Sequence, residues 1–319
     1  MEKGLICSVI NQIKIMKINV LLMCCVLSFT AFAQQSQFIT VGKTKLAFKT
    51  SSAEKREPGE PIIVYEAGFG SGGGSFAPLI RLLPDIPYFA YDRNGLGESA
   101  IDTAVRTDTD VVKQLHDLLS AAKVAPPYLL VGHSLGGPFI RLYAATYPDI
   151  VCGLLFIDPT DFMLTTAEDE QAKKASGSTT GYIGLMRILF NQIANDSNTG
   201  EGVRNEAQRE LKTMNSVFFG EYTALPPLKN IPVTVIISYA KPTEPSQVQM
   251  NTDLKLNINL DIWWKEYDRL RNNHYSDMIA HNQNSSLILL PGYSHGIHHQ
   301  DPELVAKALR DLYQTCHKR

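Results

Sequence analysis

The stretch PYLLVGHSLGGPFIRLYAATY, residues 127–147, joins two patterns that no single element carries. Residues 127–132 (PYLLVG) form a short apolar run of strand length, and residues 135–147 repeat apolar side chains at helical spacing until Pro148 stops them. Between the two lies Gly132-His133-Ser134-Leu135-Gly136, a G-x-S-x-G set between a strand and a helix. The bare pattern recurs by chance in unrelated chains, so its placement carries the argument. A strained turn at that junction would lift the Ser134 hydroxyl above a sheet, and glycines two before and two after it keep side chains out of the neighbouring backbone. The spacing predicts Ser134 as a nucleophile. The alternative is a purely structural turn.

On either side of this stretch, apolar runs of strand length alternate with amphipathic segments of helix length, which argues for a mostly parallel sheet covered on both faces. Residues 37–41 and 45–50 read as an opening hairpin around Gly42, and residues 61–67 (PIIVYEA) as the first strongly buried strand, which empties into a glycine-rich loop, 68–74. Residues 88–93 (YFAYDR) form the next strand; Val111, Val112, Leu115, Leu118 and Leu119 then recur at helical spacing within 107–124. Later strands fall at 153–157 (GLLFI), 233–238 (VTVIIS) and 286–290 (SLILL). A helix over 259–280 carries Trp263, Trp264 and Tyr267, read as packing residues. With 44% hydrophobic and 19% charged residues in 319, the chain has material for a large core, and disorder is excluded. Thirty Lys plus Arg against 32 Asp plus Glu leave a formal charge of -2, so no basic field invites nucleic acid.

A serine hydroxyl is a weak nucleophile at neutral pH and needs a base, which in turn needs an acid to orient it. His295 lies in the loop after the last strand, and Asp301-Pro302 beyond it reads as a helix N-cap with proline at the first helical position. His298 and His299 are rivals for the base, or else surface or packing residues. His116, His274, His281 and His317 read as solvated side chains. Two loops offer the acid. Asp158 sits immediately past a strand end and before Pro159, which favours it over Glu244 in the later loop. Developing negative charge on a substrate oxygen calls for N–H donors; the amide of Leu135, at a helix N-terminus, and that of Phe69, between Gly68 and Gly70, can supply them. The glycine run lacks a G-K-[ST] ending, which argues against nucleotide binding, and no Cys/His cluster has metal spacing.

With serine, acid and histidine in that chain order, the sequence resembles the α/β-hydrolase superfamily over nearly all of 37–316. Residues 91–99 (YDRNGLGES) look like its D-x-x-G-x-G-x-S turn, 132–137 (GHSLGG) like its elbow, and 291–302 like its histidine loop. The resemblance implies an eight-stranded, mostly parallel sheet, with Ser134 as nucleophile, His295 as base and the amides of Phe69 and Leu135 as oxyanion donors. Asp92 to Ser99 are read as structural. One departure stands out: the loop after the seventh strand, YAKPTE, lacks the common aspartate. Haloalkane dehalogenases of the same superfamily take their acid from the loop after the sixth strand, which gives Asp158 a precedent. They and the epoxide hydrolases attack with an aspartate, however, and Ser134 argues against both activities.

About 70 residues, 160–230, separate two core strands, far beyond an ordinary connection, which predicts a helical cap between strands 6 and 7. At the front, Lys17 precedes the apolar run 18–32 (INVLLMCCVLSFTAF), and Ala31 and Ala33 bracket an A-x-A exit, the pattern of a signal peptide covering 1–33. That run of about 15 residues is short of the roughly 20 needed to span a bilayer, so no stable membrane span is expected. Met16 is an alternative start, and Cys24 after Leu21-Leu22-Met23 resembles a lipobox. The rest, 34–319, reads as one domain that keeps only Cys152 and Cys316. These readings together predict a secreted or periplasmic serine hydrolase, without cofactor, acting on a small, mostly apolar ester or related acyl substrate. The alternatives are a proline-releasing aminopeptidase, with Glu66, Glu168, Asp169 or Glu170 as amine anchors, or a non-catalytic ligand-binding sensor.

Overall fold

The computed structural model describes residues 35–51, 56–214 and 217–318; the leader over 1–33, with Met16 and Cys24, lies outside the described residues. The strand-length apolar runs become β1 (Gln37–Val41), β2 (Thr44–Ser51), β3 (Ile62–Glu66), β4 (Tyr88–Tyr91), β5 (Tyr128–His133), β6 (Val151–Ile157), β7 (Val233–Tyr239) and β8 (Ser286–Pro291). They form one sheet in the order β1-β2-β4-β3-β5-β6-β7-β8. β1, β2 and β4 pair antiparallel, and every pairing from β4 through β8 is parallel. Every residue of β3 is buried, because a parallel strand covered on both faces meets no water on either.

Helices follow as α1 (Ala77–Leu82), α2 (Asp108–Ala121), α3 (Gly136–Thr146), α4 (Thr166–Ala175), α5 (Tyr182–Asn195), α6 (Glu201–Met214), α7 (Pro245–Asp253), α8 (Leu260–Ile279), α9 (Ile297–Gln300) and α10 (Pro302–His317). Alternate strand residues feed two cores. Ile63, Leu129, Val131 and Leu155 meet α1 and α10 on one face. Val64, Leu130, Phe156 and Val235 meet α2, α3 and α8 on the other. Truncating a fully buried leucine such as Leu130 to alanine costs roughly 2–5 kcal/mol. Asp301 caps α10 as the sequence predicts, accepting the Leu304 N–H at 3.0 Å ahead of Pro302.

The cap expected over 160–230 is present as α4, α5 and α6, inserted between β6 and β7. A second contribution was not foreseen: α7 and the first turns of α8, in the β7–β8 connection, wall a cavity beneath these helices through Met250, Trp264 and Tyr267. Of the helix aromatics read as packing, Trp263 is fully buried, whereas Trp264 and Tyr267 line that cavity. Loops from the carboxyl ends of β3, β5, β6 and β8 converge beneath the cap, the usual place for a site in an open parallel sheet. Cys152 and Cys316 are not joined by a disulfide, and no helix among the described residues is long and apolar enough to cross a membrane.

Candidate active site

Ser134 sits at the turn between β5 and α3 with φ +53°, a left-handed conformation that only a tightly constrained non-glycine residue keeps. The turn is locked by its own backbone: Ser134 N–H donates to Ile157 O at 3.1 Å, and Ser134 O accepts from Gly137 and Thr160 at 2.9 and 3.1 Å. A Cβ on Gly132 would stand 2.5 Å from Gly136 O, and one on Gly136 would overlap Glu66 O, so both motif glycines answer to close approach. Next to the serine, the N–H of Leu135 has no acceptor among the described residues, and the same holds for Phe69 across the site.

Asp158 directly follows β6, also in a left-handed conformation (φ +40°), and is fully buried. Its Oδ1 accepts from Ser238 N–H at 2.8 Å and pairs with Arg271 at 3.2 Å. Its Oδ2 accepts from His295 Nδ1 at 2.6 Å and from Lys241 Nζ at 3.1 Å. Burial alone would raise its pKa, but Arg271, His295 and Lys241 together outweigh burial and hold the carboxyl well below the usual carboxylate range. With Nδ1 committed to Asp158, the free nitrogen of His295 is Nε2. The imidazole is 53% exposed and lines the same cavity as Ser134. No hydrogen bond joins Ser134 Oγ to His295 among the described residues; such contacts often close only with substrate present. The carbonyl of His295 is held by His133 Nε2 at 3.1 Å.

The other candidates divide. Glu244 lies at the N-cap of α7 on the cavity rim and bonds no part of His295 among the described residues. His298 is a packing residue, 1% exposed against Phe76 and His133, and burial pushes it down to about 2. His274, expected to be solvated, instead bridges Asp161 at 2.8 Å and Glu168 at 3.1 Å, and these carboxylates raise it to about 9 against the pull of burial. His116, also expected to be solvated, stacks on Tyr147 with its Nδ1 at 3.1 Å from Tyr143 Oη. Asp92 is structural as anticipated, accepting from Gly73 N–H at 2.9 Å and Glu98 N–H at 3.0 Å.

Ser134, Asp158, His295, Phe69 and Leu135 all border one cavity of about 730 Å³. Its far wall is apolar and belongs largely to the cap, with Leu185, Leu189, Phe190, Met214 and Phe218. Among the described residues no group of three or more His, Cys, Asp or Glu side chains is arranged to hold a metal ion.

Residues 61–302 match the alpha/beta hydrolase fold family. The chain belongs to the α/β-hydrolase fold family. Among relatives, this α/β hydrolase is 28% identical to the protein YqjL of Bacillus subtilis, over 79% of this chain and 83% of that one. It is 23% identical to the monoacylglycerol lipase ABHD6 of Homo sapiens, over 81% and 77%. Of solved structures, a thermophilic esterase from Thermogutta terrifontis superposes with a TM-score of 0.56 at 17% identity, covering 89% of this chain and 99% of that one.

Sequence reasoning missed Lys241 and Arg271. The loop after β7 delivers a cation, Lys241, to the carboxylate of Asp158 in another loop, and its signal in the sequence is the lysine of YAKPTE.

Proposed function

We propose that this α/β hydrolase is a serine esterase that cleaves apolar esters or related acyl compounds through an acyl-enzyme. Ser134 Oγ attacks the carbonyl carbon while His295 Nε2 takes its proton; the imidazolium then returns that proton to the leaving oxygen, and water repeats the sequence to release the acid. Asp158 orients the imidazole and stabilises its charged form. The amides of Leu135 and Phe69 receive the oxyanion.

The observation that carries the reading is the 2.6 Å contact between Asp158 and His295 at the wall of a cavity that Ser134 also lines. A cavity of about 730 Å³ exceeds the need of an acetyl group and falls within the range that holds drug-sized ligands, so the apolar part of the substrate is proposed to be of medium length. An amine-recognising peptidase finds less support. Glu66 is buried against Arg93, Glu168 bonds His274, Asp169 accepts from Tyr182 N–H, Glu170 pairs with Lys173, and none of the four lines the cavity.

A fluorophosphonate probe tests the reading. Wild type should label in a single covalent adduct and Ser134→Ala should not; a wild type that binds apolar esters but never labels or turns over would sink it in favour of a sensor. We also infer, from the sequence pattern of 1–33, that the enzyme works outside the cytoplasm. A mature N-terminus at Gln34 checks this.

A further inference from the structure

The amide of Phe69 is oriented by its peptide plane, and both sides of that plane are tied to one carboxylate. A trans peptide points the Phe69 N–H opposite to the Gly68 carbonyl. That carbonyl accepts from Arg93 Nη2 at 2.7 Å, and the Ala67 carbonyl accepts from Arg93 Nη1. Arg93, 2% exposed, is gripped by Glu66 at 2.7 Å and by Glu206 Oε1, which accepts from Nη2 at 2.7 Å and Nε at 3.1 Å. The other oxygen of the same residue, Glu206 Oε2, accepts from Gly70 N–H at 2.7 Å. Glu206 thus pins the loop before Phe69 through Arg93 and after it directly.

Glu206 belongs to the cap, on α6, 136 residues from Gly70. One turn earlier, a Cβ on Gly202 would overlap Gly95 O in the turn after β4, so α6 lies flush on the core. The ring of Phe69 packs on Phe190 of α5, with centroids 5.0 Å apart, a second tie between loop and cap.

We propose that Glu206 is a positioning residue that aims the Phe69 amide, so that the oxyanion site is complete only while the cap is seated on the sheet. This rests on Phe69 serving as an oxyanion donor in the function proposed above. The cap then does more than shape the substrate cavity: seating it assembles part of the catalytic machinery.

The chemistry of Glu206 makes the test sharp. Both of its oxygens accept, whereas a glutamine presents one NH2, which in either flip faces a donor, Gly70 N–H or Arg93. Glu206→Gln should therefore break one arm of the bridge with almost no change of shape. The readouts are exchange of the Gly70 amide, followed by mass spectrometry on a peptide spanning 67–73, and kcat against KM on p-nitrophenyl butyrate. Glu206→Gln should speed Gly70 exchange at least tenfold and lower kcat roughly 10–100-fold with KM near wild type, because a misaimed donor weakens only the transition state. Glu210→Gln, one turn on and without a bond to the loop, should leave both readouts near wild type. Gly202→Ala, which keeps every charge but wedges α6 off Gly95, should speed Gly70 exchange as well, and it serves should Glu206→Gln not fold.

Unchanged Gly70 exchange in folded Glu206→Gln or in Gly202→Ala overturns the proposal, as does a rise in KM at constant kcat. If wild type hydrolyses no ester, the catalytic reading fails, and the exchange data alone still decide whether Glu206 sets the loop.

Discussion

Around His295 the buried carboxylate Asp158 meets three basic partners, His295, Lys241 and Arg271, the last shared with buried Asp268, while behind the loop holding Phe69 four buried carboxylates, Glu66, Asp108, Glu206 and Glu210, share two guanidiniums, Arg93 and Arg209. The second is the drier, and their charge balance differs: two carboxylates meet two cations and an imidazole in the first, and four meet two cations in the second. Arg271, His295 and Lys241 keep Asp158 ionised throughout the physiological range. Carboxylates in excess cannot all ionise together: burial pushes Glu66, Asp108 and Glu210 upward, and Glu206, in contact with both guanidiniums, is the one held down. The first cluster suits a group that must stay charged to orient a base. The second suits a joint whose grip depends on where its protons sit.

Replacing Asp158 by Asn should have the largest effect. It leaves Lys241 and Arg271 beside a neutral amide and offers His295 Nδ1 either tautomer, so kcat should fall about 10⁴-fold, as measured on p-nitrophenyl butyrate with thermal unfolding run in parallel. A loss below tenfold, with Glu244→Gln falling instead, would move the acid to the later loop and dissolve the comparison.

Asp158 and Glu210 should also differ in the sign of their pH dependence. The pKa of Asp158 is lowered on folding, so its contribution is present above the ordinary carboxylate range and is lost as pH falls into it. Glu210 is raised, so the native state holds more protons than the unfolded one, and its contribution is lost as pH rises through the folded pKa. Thermal unfolding midpoints should therefore drop from pH 7 to 9.5 in wild type and drop less in Glu210→Gln; identical slopes would show that the carboxylate cluster carries no such joint. His274, raised to about 9 between Asp161 and Glu168, acts in the same alkaline direction and remains intact in that variant. The smallest effect is expected for Glu244→Gln, which stands at the rim at the start of α7; kcat should stay within about threefold.

The same contrast explains what could be read from the chain. Apolar periodicity located every strand to within a residue or two, because burial in a parallel sheet writes itself as runs such as PIIVYEA and PYLLVG. The elbow was legible because its glycines answer to local crowding, and Asp158 because it follows a strand end directly. Helix α6 was not, since the face it buries carries Glu206, Arg209 and Glu210 rather than leucines, and a polar face that is dry looks the same in sequence as one that is wet. His274 was misread for the same reason. Its two carboxylates lie 113 and 106 residues away, and no spacing rule connects them.

The flush contact at Gly202 has a consequence for exchanging lids between hydrolases. A lid transplanted onto this scaffold would need a glycine to sit on the Gly95 carbonyl and, four residues later on the same helix face, an acid to reach the Gly70 amide. G-x-x-x-E at the start of the third lid helix is thus a compatibility rule for chimeras, and donor lids without it should leave a folded body with an ill-set oxyanion loop.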